Sequence, residues 1–133
     1  MCGFIFQKKT HPKKVLDKKQ FFLASKLIFN RGPDNKTFYH DKNHNIFHAR
    51  LNIIDLKSRA NQPMHFEDYS IIYNGEIYNF KEIKQELKHK GIKFYTKCDT
   101  EVFLKSFIYW GGNCFAKFNG MFAAGIYDLK KEK

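Results

Sequence analysis

A mixed protein of the α/β or α+β class is what this sequence predicts, on three observations. Short β-prone apolar runs alternate with segments whose apolar residues recur at helical spacing. The segments are parted by Gly, Pro, Asn and Asp punctuation, with no internal repeat and no low-complexity linker. The 133 residues are 43% hydrophobic and 17% aromatic with only three prolines, a profile that fits one packed domain over 1–133 and excludes a disordered chain.

Residues 2 to 7 are apolar enough for a short buried strand that stops at Lys8 and Lys9. From about 13 to 29, Val15, Leu16, Leu23, Ala24, Leu27 and Ile28 follow a mostly helical period, so a first helix is expected there. It ends in NRGPDN, where Gly32 and Pro33 break the pattern and Asn30 and Asp34 can hydrogen-bond a turn. TFYH and NIFHAR alternate around the polar tip DKNHN and predict a hairpin. The polar segment around Pro63 is expected to be a loop. Tyr69 to Tyr73 predicts a strand that Asn74-Gly75 bends or breaks. Asn79 is placed to cap a second helix bearing Phe80, Ile83 and Leu87 and closed by Gly91. IKFYT, residues 92–96, then reads as a short strand. Asp99 is placed to cap a third helix running to Gly111-Gly112, and after a turn GMFAAGIYD predicts a buried strand before the charged LKKEK. The order is β α β β β α β α β.

Lys and Arg number 24 against 13 Asp and Glu, a formal net charge of +11. Such a surplus could attract nucleic acid or an acidic membrane. The lysines, however, are dispersed over faces that helices turn to water, and no arginine stripe or aromatic RNA-binding run accompanies them. No nucleic-acid partner is expected. Cys2, Cys98 and Cys114 form no CxxC pair and are odd in number, which argues against a disulfide framework or a metal site and for a reducing compartment. The start lacks a secretory signal and no apolar run approaches membrane-spanning length, so the expected setting is cytoplasmic, away from membranes.

Three features could carry chemistry. Cys2 is either a small residue opening a strand or, once Met1 is removed, a nucleophile whose own α-amine serves as base. The bend at Asn74-Gly75 is either a plain corner or a pair of donors, one side-chain amide and one backbone N–H, suited to an oxyanion. Arg50 sits in an otherwise apolar stretch and needs an anion, either an internal carboxylate or a bound one.

MCGFIF at the start, RGPD at 31–34, HARLNIID at 48–55, YNGEIYNF at 73–80, CDTEVFL at 98–104 and GMFAAGIYD at 120–128 resemble, in order and spacing, the glutaminase domain of class II glutamine amidotransferases, and the asparagine synthetase branch in particular. The resemblance implies an α+β fold of the N-terminal-nucleophile hydrolase type, an αββα sandwich, and the hydrolysis of L-glutamine to glutamate and ammonia. Cys2 matches the nucleophile, Asn74 and Gly75 the oxyanion hole, Arg50 the clamp on the substrate α-carboxylate, and Asp99 the acceptor of its α-ammonium. Leu51, Ile53 and Glu76 match the rest of the pocket. No metal or cofactor is implied for this domain; ATP and Mg belong to a synthetase domain or subunit, the implied partner.

Cys98 stands where relatives usually carry a small polar residue, and is read as structural. His48 is read as a packed histidine, since the terminal amine already supplies the base, and Arg31 as a brace for the loops around the nucleophile. Relatives continue beyond the GIYD strand, so the sandwich is expected to be incomplete at its C-terminus, with residues 121–127 forming an unpaired edge open to self-association into a homo-oligomer. The competing reading is a truncated, non-catalytic remnant or split subunit that keeps the fold and a partner surface.

Overall fold

A computed structural model describes residues 2–9 and 15–131. Its strands are β1 (Gly3–Lys8), β2 (Asn35–His40), β3 (His44–Arg50), β4 (Met64–Phe66), β5 (Tyr69–Ile77) and β6 (Gly120–Asp128); its helices are α1 (Lys18–Lys26), α2 (Phe80–His89) and α3 (Asp99–Trp110). The fold is α+β, with two antiparallel sheets of order β1-β3-β2 and β4-β5-β6.

The expected hairpin forms from β2 and β3, Asn35 opposite Arg50 and His40 opposite Asn45. Its tip is fixed by Asp41, whose Oδ1 accepts the backbone N–H of Asn43 at 2.7 Å and of His44 at 2.6 Å. β1 takes the other edge of β3, from Gly3 opposite Ala49 to Lys8 opposite His44, which makes β3 the central strand and buries all seven of its residues. The first helix is shorter than its periodicity suggests. Asp17 and Gln20 close a reciprocal capping box at 2.8 and 3.1 Å that starts α1 at Lys18, and a 3-10 turn covers Phe29–Arg31. Residues 13 and 14 of the expected helix lie outside the described residues, as do the last two of LKKEK.

Four further expectations are corrected. Asn74-Gly75 does not end β5, which stays paired with β6 from Tyr69 opposite Asp128 to Ile77 opposite Gly120. Gly75 permits this: its φ is 153°, and a Cβ there would stand 2.2 Å from Met121 O. Around Pro63 the expected loop yields β4, Met64 pairing with Ile71. Residues 92–96 form no strand, because the N–H groups of Tyr95 and Thr96 turn inward to the Glu101 carboxylate at 2.9 and 2.7 Å. Asn79 takes the expected cap position of α2, but its side chain bridges to Lys117 O and the Asn119 N–H rather than to the helix, while Asp99 is the first residue of α3, with Cys98 at the cap position.

Packing runs helix, sheet, sheet, helices. Phe21 of α1 packs with Phe47 and Ala49 on one face of β3. The alternate β3 residues reach the second sheet, His44 lying 3.9 Å from the Tyr127 ring centroid. On the far side, Ile71, Tyr73 and Ile77 of β5 meet Ile83 and Leu87 of α2 and Val102, Phe103 and Leu104 of α3. Burying each such side chain contributes about 1.5–3 kcal/mol. Glu101 and Lys105 form a buried ion pair at 2.7 Å, roofed by Phe66, Phe94 and Tyr95. Among the described residues β6 pairs with β5 alone, leaving one edge free. No described helix is long and apolar enough to cross a membrane.

Candidate functional site

Cys2 lies one residue ahead of β1, and the antiparallel register carries it to the end of β3. There the Leu51 N–H donates to Cys2 Sγ at 3.3 Å. The RGPD segment locks this junction from outside. Arg31 Nε donates to Cys2 O at 3.0 Å, the bracing role expected of it. Gly32 rests on β3 so closely that a Cβ would stand 2.3 Å from Ala49 O. Asp34 donates its N–H to Arg50 O and accepts that of Asn52.

A cavity of about 80 Å³ opens beside the sulfur. It brings together most of the residues singled out in the sequence: Cys2, Arg50, Leu51, Ile53, Gly75, Glu76 and Asp99 all line it. Asn74 is not among the lining residues; it sits on β5 opposite Ala123, half-buried. Gly75, having no side chain, lines the cavity with backbone.

Arg50 is 6% exposed, yet its guanidinium meets only neutral acceptors: Lys57 O at 3.0 Å, Asn61 Oδ1 at 2.8 Å and Asp55 O. Among the described residues no carboxylate pairs with it, so the internal salt bridge left open by the sequence does not form. The nearby Asp55 carboxylate is occupied elsewhere. Burial acts to raise its pKa, but the N–H groups of Lys97 and Lys57 and the Arg59 side chain overcome this and hold it at about 2.

Asp99 has the opposite sign and the same isolation. Its Oδ2 accepts the Tyr73 hydroxyl at 2.7 Å and the Ile77 N–H at 3.2 Å, both neutral donors. Burial pushes its pKa up, past the lowering effect of those bonds. Burial also raises the Tyr73 phenol, with the Asp99 charge adding to it, which keeps the hydroxyl protonated as the donor. One cavity thus holds a buried cation and a buried anion, neither in an ion pair among the described residues, and a thiol lines it with them. Leaving such charges unpaired is costly, and a zwitterionic ligand would offset the cost at both ends.

Sequence reasoning did not find Tyr73, Gln62 or Thr100, which also line the cavity; their only signal was proximity to Asn74, Pro63 and Asp99. Cys98 lines it too, buried, with its thiol 3.0 Å from Thr96 Oγ1. His48, read as packed, is fully buried, and its ring bonds Tyr73 O at 3.3 Å. Burial, helped by Arg50, lowers its pKa to about 4.

The family profile described as "Glutamine amidotransferase domain" matches residues 1–133. Asparagine synthetase [glutamine-hydrolyzing] 1 of Bacillus subtilis (strain 168) is 38% identical over 132 residues, covering 96% of this chain and 21% of the relative. Asparagine synthetase [glutamine-hydrolyzing] 3 of the same strain is 34% identical over 136 residues, covering 98% and 22%. The nodule asparagine synthetase [glutamine-hydrolyzing] of Pisum sativum is 30% identical over 132 residues, again covering 98% and 22%. The chain spans about a fifth of the length of these relatives.

Proposed function

The chain belongs to the glutamine amidotransferase domain family, and on that premise we propose that it hydrolyses L-glutamine to glutamate and ammonia through a thioester on Cys2. The single observation that carries this reading is the cavity in which Cys2 shares a wall with an unpaired buried Arg50 and an unpaired buried Asp99. A free amino acid has a carboxylate for the one and an ammonium for the other. Its side-chain amide then projects toward the sulfur.

In this reading Met1 is removed and the Cys2 amine takes the thiol proton as sulfur attacks the amide carbon. The tetrahedral oxyanion is met by the Gly75 N–H and the Asn74 side-chain amide. Asn74 stands beside Gly75 but outside the cavity wall, so its amide swings inward with substrate. Ammonia leaves with the proton the amine returns, water attacks the thioester, and glutamate departs with the thiol restored. Leu51, Ile53 and Glu76 shape the remaining walls. The helix–sheet–sheet–helix packing supports an N-terminal-nucleophile hydrolase sandwich; the setting proposed for it is cytoplasmic. The ammonia would feed an asparagine-synthetase-type amidation in a synthetase domain or subunit, where ATP and Mg²⁺ act.

The test is glutamate release by the purified chain, with the N-terminal mass determined on the same sample. Release by the Cys2-terminated form and none from Cys2→Ala supports the reading. Equal release by Cys2→Ala refutes it.

A further inference from the structure

β5 carries Asn74 and Gly75, but on one side it loses its neighbouring strand before reaching them. β4 begins at Met64, which pairs with Ile71. Past that point the edge of β5 would leave backbone groups of Tyr73 without strand partners in a buried place, at a cost of roughly 1–3 kcal/mol each. Side chains from two different elements take them instead. The Tyr73 N–H donates to Gln62 Oε1 at 2.6 Å. The Tyr73 carbonyl accepts from His48 Nε2 at 3.3 Å.

Both contacts are dry, His48 being 0% and Gln62 4% exposed. A carbonyl can only accept, so His48 carries its proton on Nε2, and among the described residues the buried Nδ1 has no hydrogen-bond partner. A histidine in an apolar wall for packing alone gains nothing from that arrangement; one held to donate to a strand carbonyl does. Gln62 is itself oriented, its Nε2 donating to Thr100 Oγ1 at 3.3 Å, one residue after Asp99. The pair therefore joins β3, which bears Arg50, and the start of α3, which bears Asp99, to the residue just before Asn74 and Gly75.

We propose that His48 and Gln62 are positioning residues, a two-sided clamp on the Tyr73 backbone that fixes where β5 presents Asn74 and Gly75 beside the Cys2 cavity. The proposal rests on the glutaminase reading above. Loosening the clamp shifts the donors that meet the oxyanion while leaving Arg50 and Asp99 to bind glutamine, so it lowers kcat and spares KM. A displacement near 1 Å at such a site can cost about a hundredfold.

The experiment compares the chain with His48→Leu, His48→Gln and Gln62→Leu, reading glutamine kcat and KM together with amide hydrogen exchange at Tyr73, Asn74 and Gly75. The clamp predicts kcat lowered roughly 10- to 100-fold in His48→Leu and Gln62→Leu with KM within about threefold. Exchange at 73–75 should rise in both while β1 and β2 keep their protection. His48→Gln, which retains a donor, should recover most of kcat and protection. Unchanged exchange at 73–75, a rise in KM at constant kcat, or His48→Gln as impaired as His48→Leu overturns the proposal. Because exchange needs no turnover, it decides the clamp even if the unsubstituted chain releases no glutamate, the outcome that counts against the glutaminase reading itself.

Discussion

The backbone N–H of Leu51 donates to the sulfur of Cys2 across 3.3 Å, joining the second residue of the chain to the residue that follows β3. That one contact places a thiol next to Arg50. It exists because β1 runs antiparallel to β3 in the register that sets Gly3 against Ala49, and because Arg31 holds the Cys2 carbonyl from the other side.

Thiol labelling should single out Cys2. Cys98 is buried and burial raises its pKa, while burial pushes Cys114 to about 11, so neither offers much thiolate near neutral pH. A glutamine-analogue electrophile is expected to modify Cys2 alone in the folded protein, as peptide mass mapping would show. Cys98 modified first would contradict the assignment of the nucleophile.

Arg50→Lys should weaken glutamine binding more than it slows turnover. A lysine keeps the charge but loses the planar fork that can hold a carboxylate while also bonding Lys57 O and Asn61. Losing one charge-assisted bond of about 1.5–3 kcal/mol corresponds to a KM increase of roughly 10- to 100-fold. Steady-state kinetics check this, and a kcat loss at unchanged KM would place Arg50 outside the binding role.

At Asp99 binding and stability are expected to part. The carboxylate is buried and burial raises its pKa, so holding it charged in the fold costs stability relative to the unfolded chain. Asp99→Asn should melt at the same temperature as the parent or higher, yet show a KM for glutamine raised at least tenfold by loss of the ammonium partner. A large fall in Tm with unchanged KM would mean that the carboxylate serves only to anchor Tyr73 and Ile77.

The pKa of His48 makes a signed prediction about acid. Its folded value of about 4 lies below the unfolded 6.5, so between these values the unfolded chain binds the extra proton and stability rises with pH. The contribution is complete above about pH 6.5 and is lost on acidification toward pH 4, a loss of roughly 3 kcal/mol. Urea midpoints from pH 4 to 7 should show this slope, and His48→Gln should remove its share. Parallel profiles for the two proteins would show that His48 does not titrate this way.

Lys105→Met should destabilise the fold by about 3–5 kcal/mol, because it strands the Glu101 carboxylate, 5% exposed, without its cation. Chemical denaturation measures it. A change under 1 kcal/mol would mean that the N–H groups of Tyr95 and Thr96 suffice to hold Glu101.

Local chemistry made much of the chain readable in advance. The alternation of TFYH and NIFHAR around a polar tip specified a hairpin because successive side chains of a strand point to opposite faces, and residue chemistry marked a thiol, an Asn-Gly donor pair and an arginine in need of an anion, while the amino-acid site came from the resemblance that MCGFIF, RGPD, HARLNIID, YNGEIYNF and CDTEVFL carry together. What failed locally was decided by distant partners. IKFYT has strand character, but the Glu101 carboxylate takes its backbone donors. Asn74-Gly75 has turn character, but β6 continues the ladder past it.

By itself the sequence determined the hairpin and the helices, and residue type marked Cys2, Asn74, Gly75 and Arg50 as the residues to watch while the family resemblance added Asp99, because residue type and short-range periodicity are local properties. Only the tertiary structure decided that Cys2, Arg50, Gly75 and Asp99 line one cavity while Asn74 does not, that Arg50 meets no carboxylate among the described residues, and that Gln62 and His48 bond the Tyr73 backbone. Those outcomes depend on which backbone and side-chain groups remain unsatisfied once sheets and helices have packed, a property of the whole fold that no short window of residues contains.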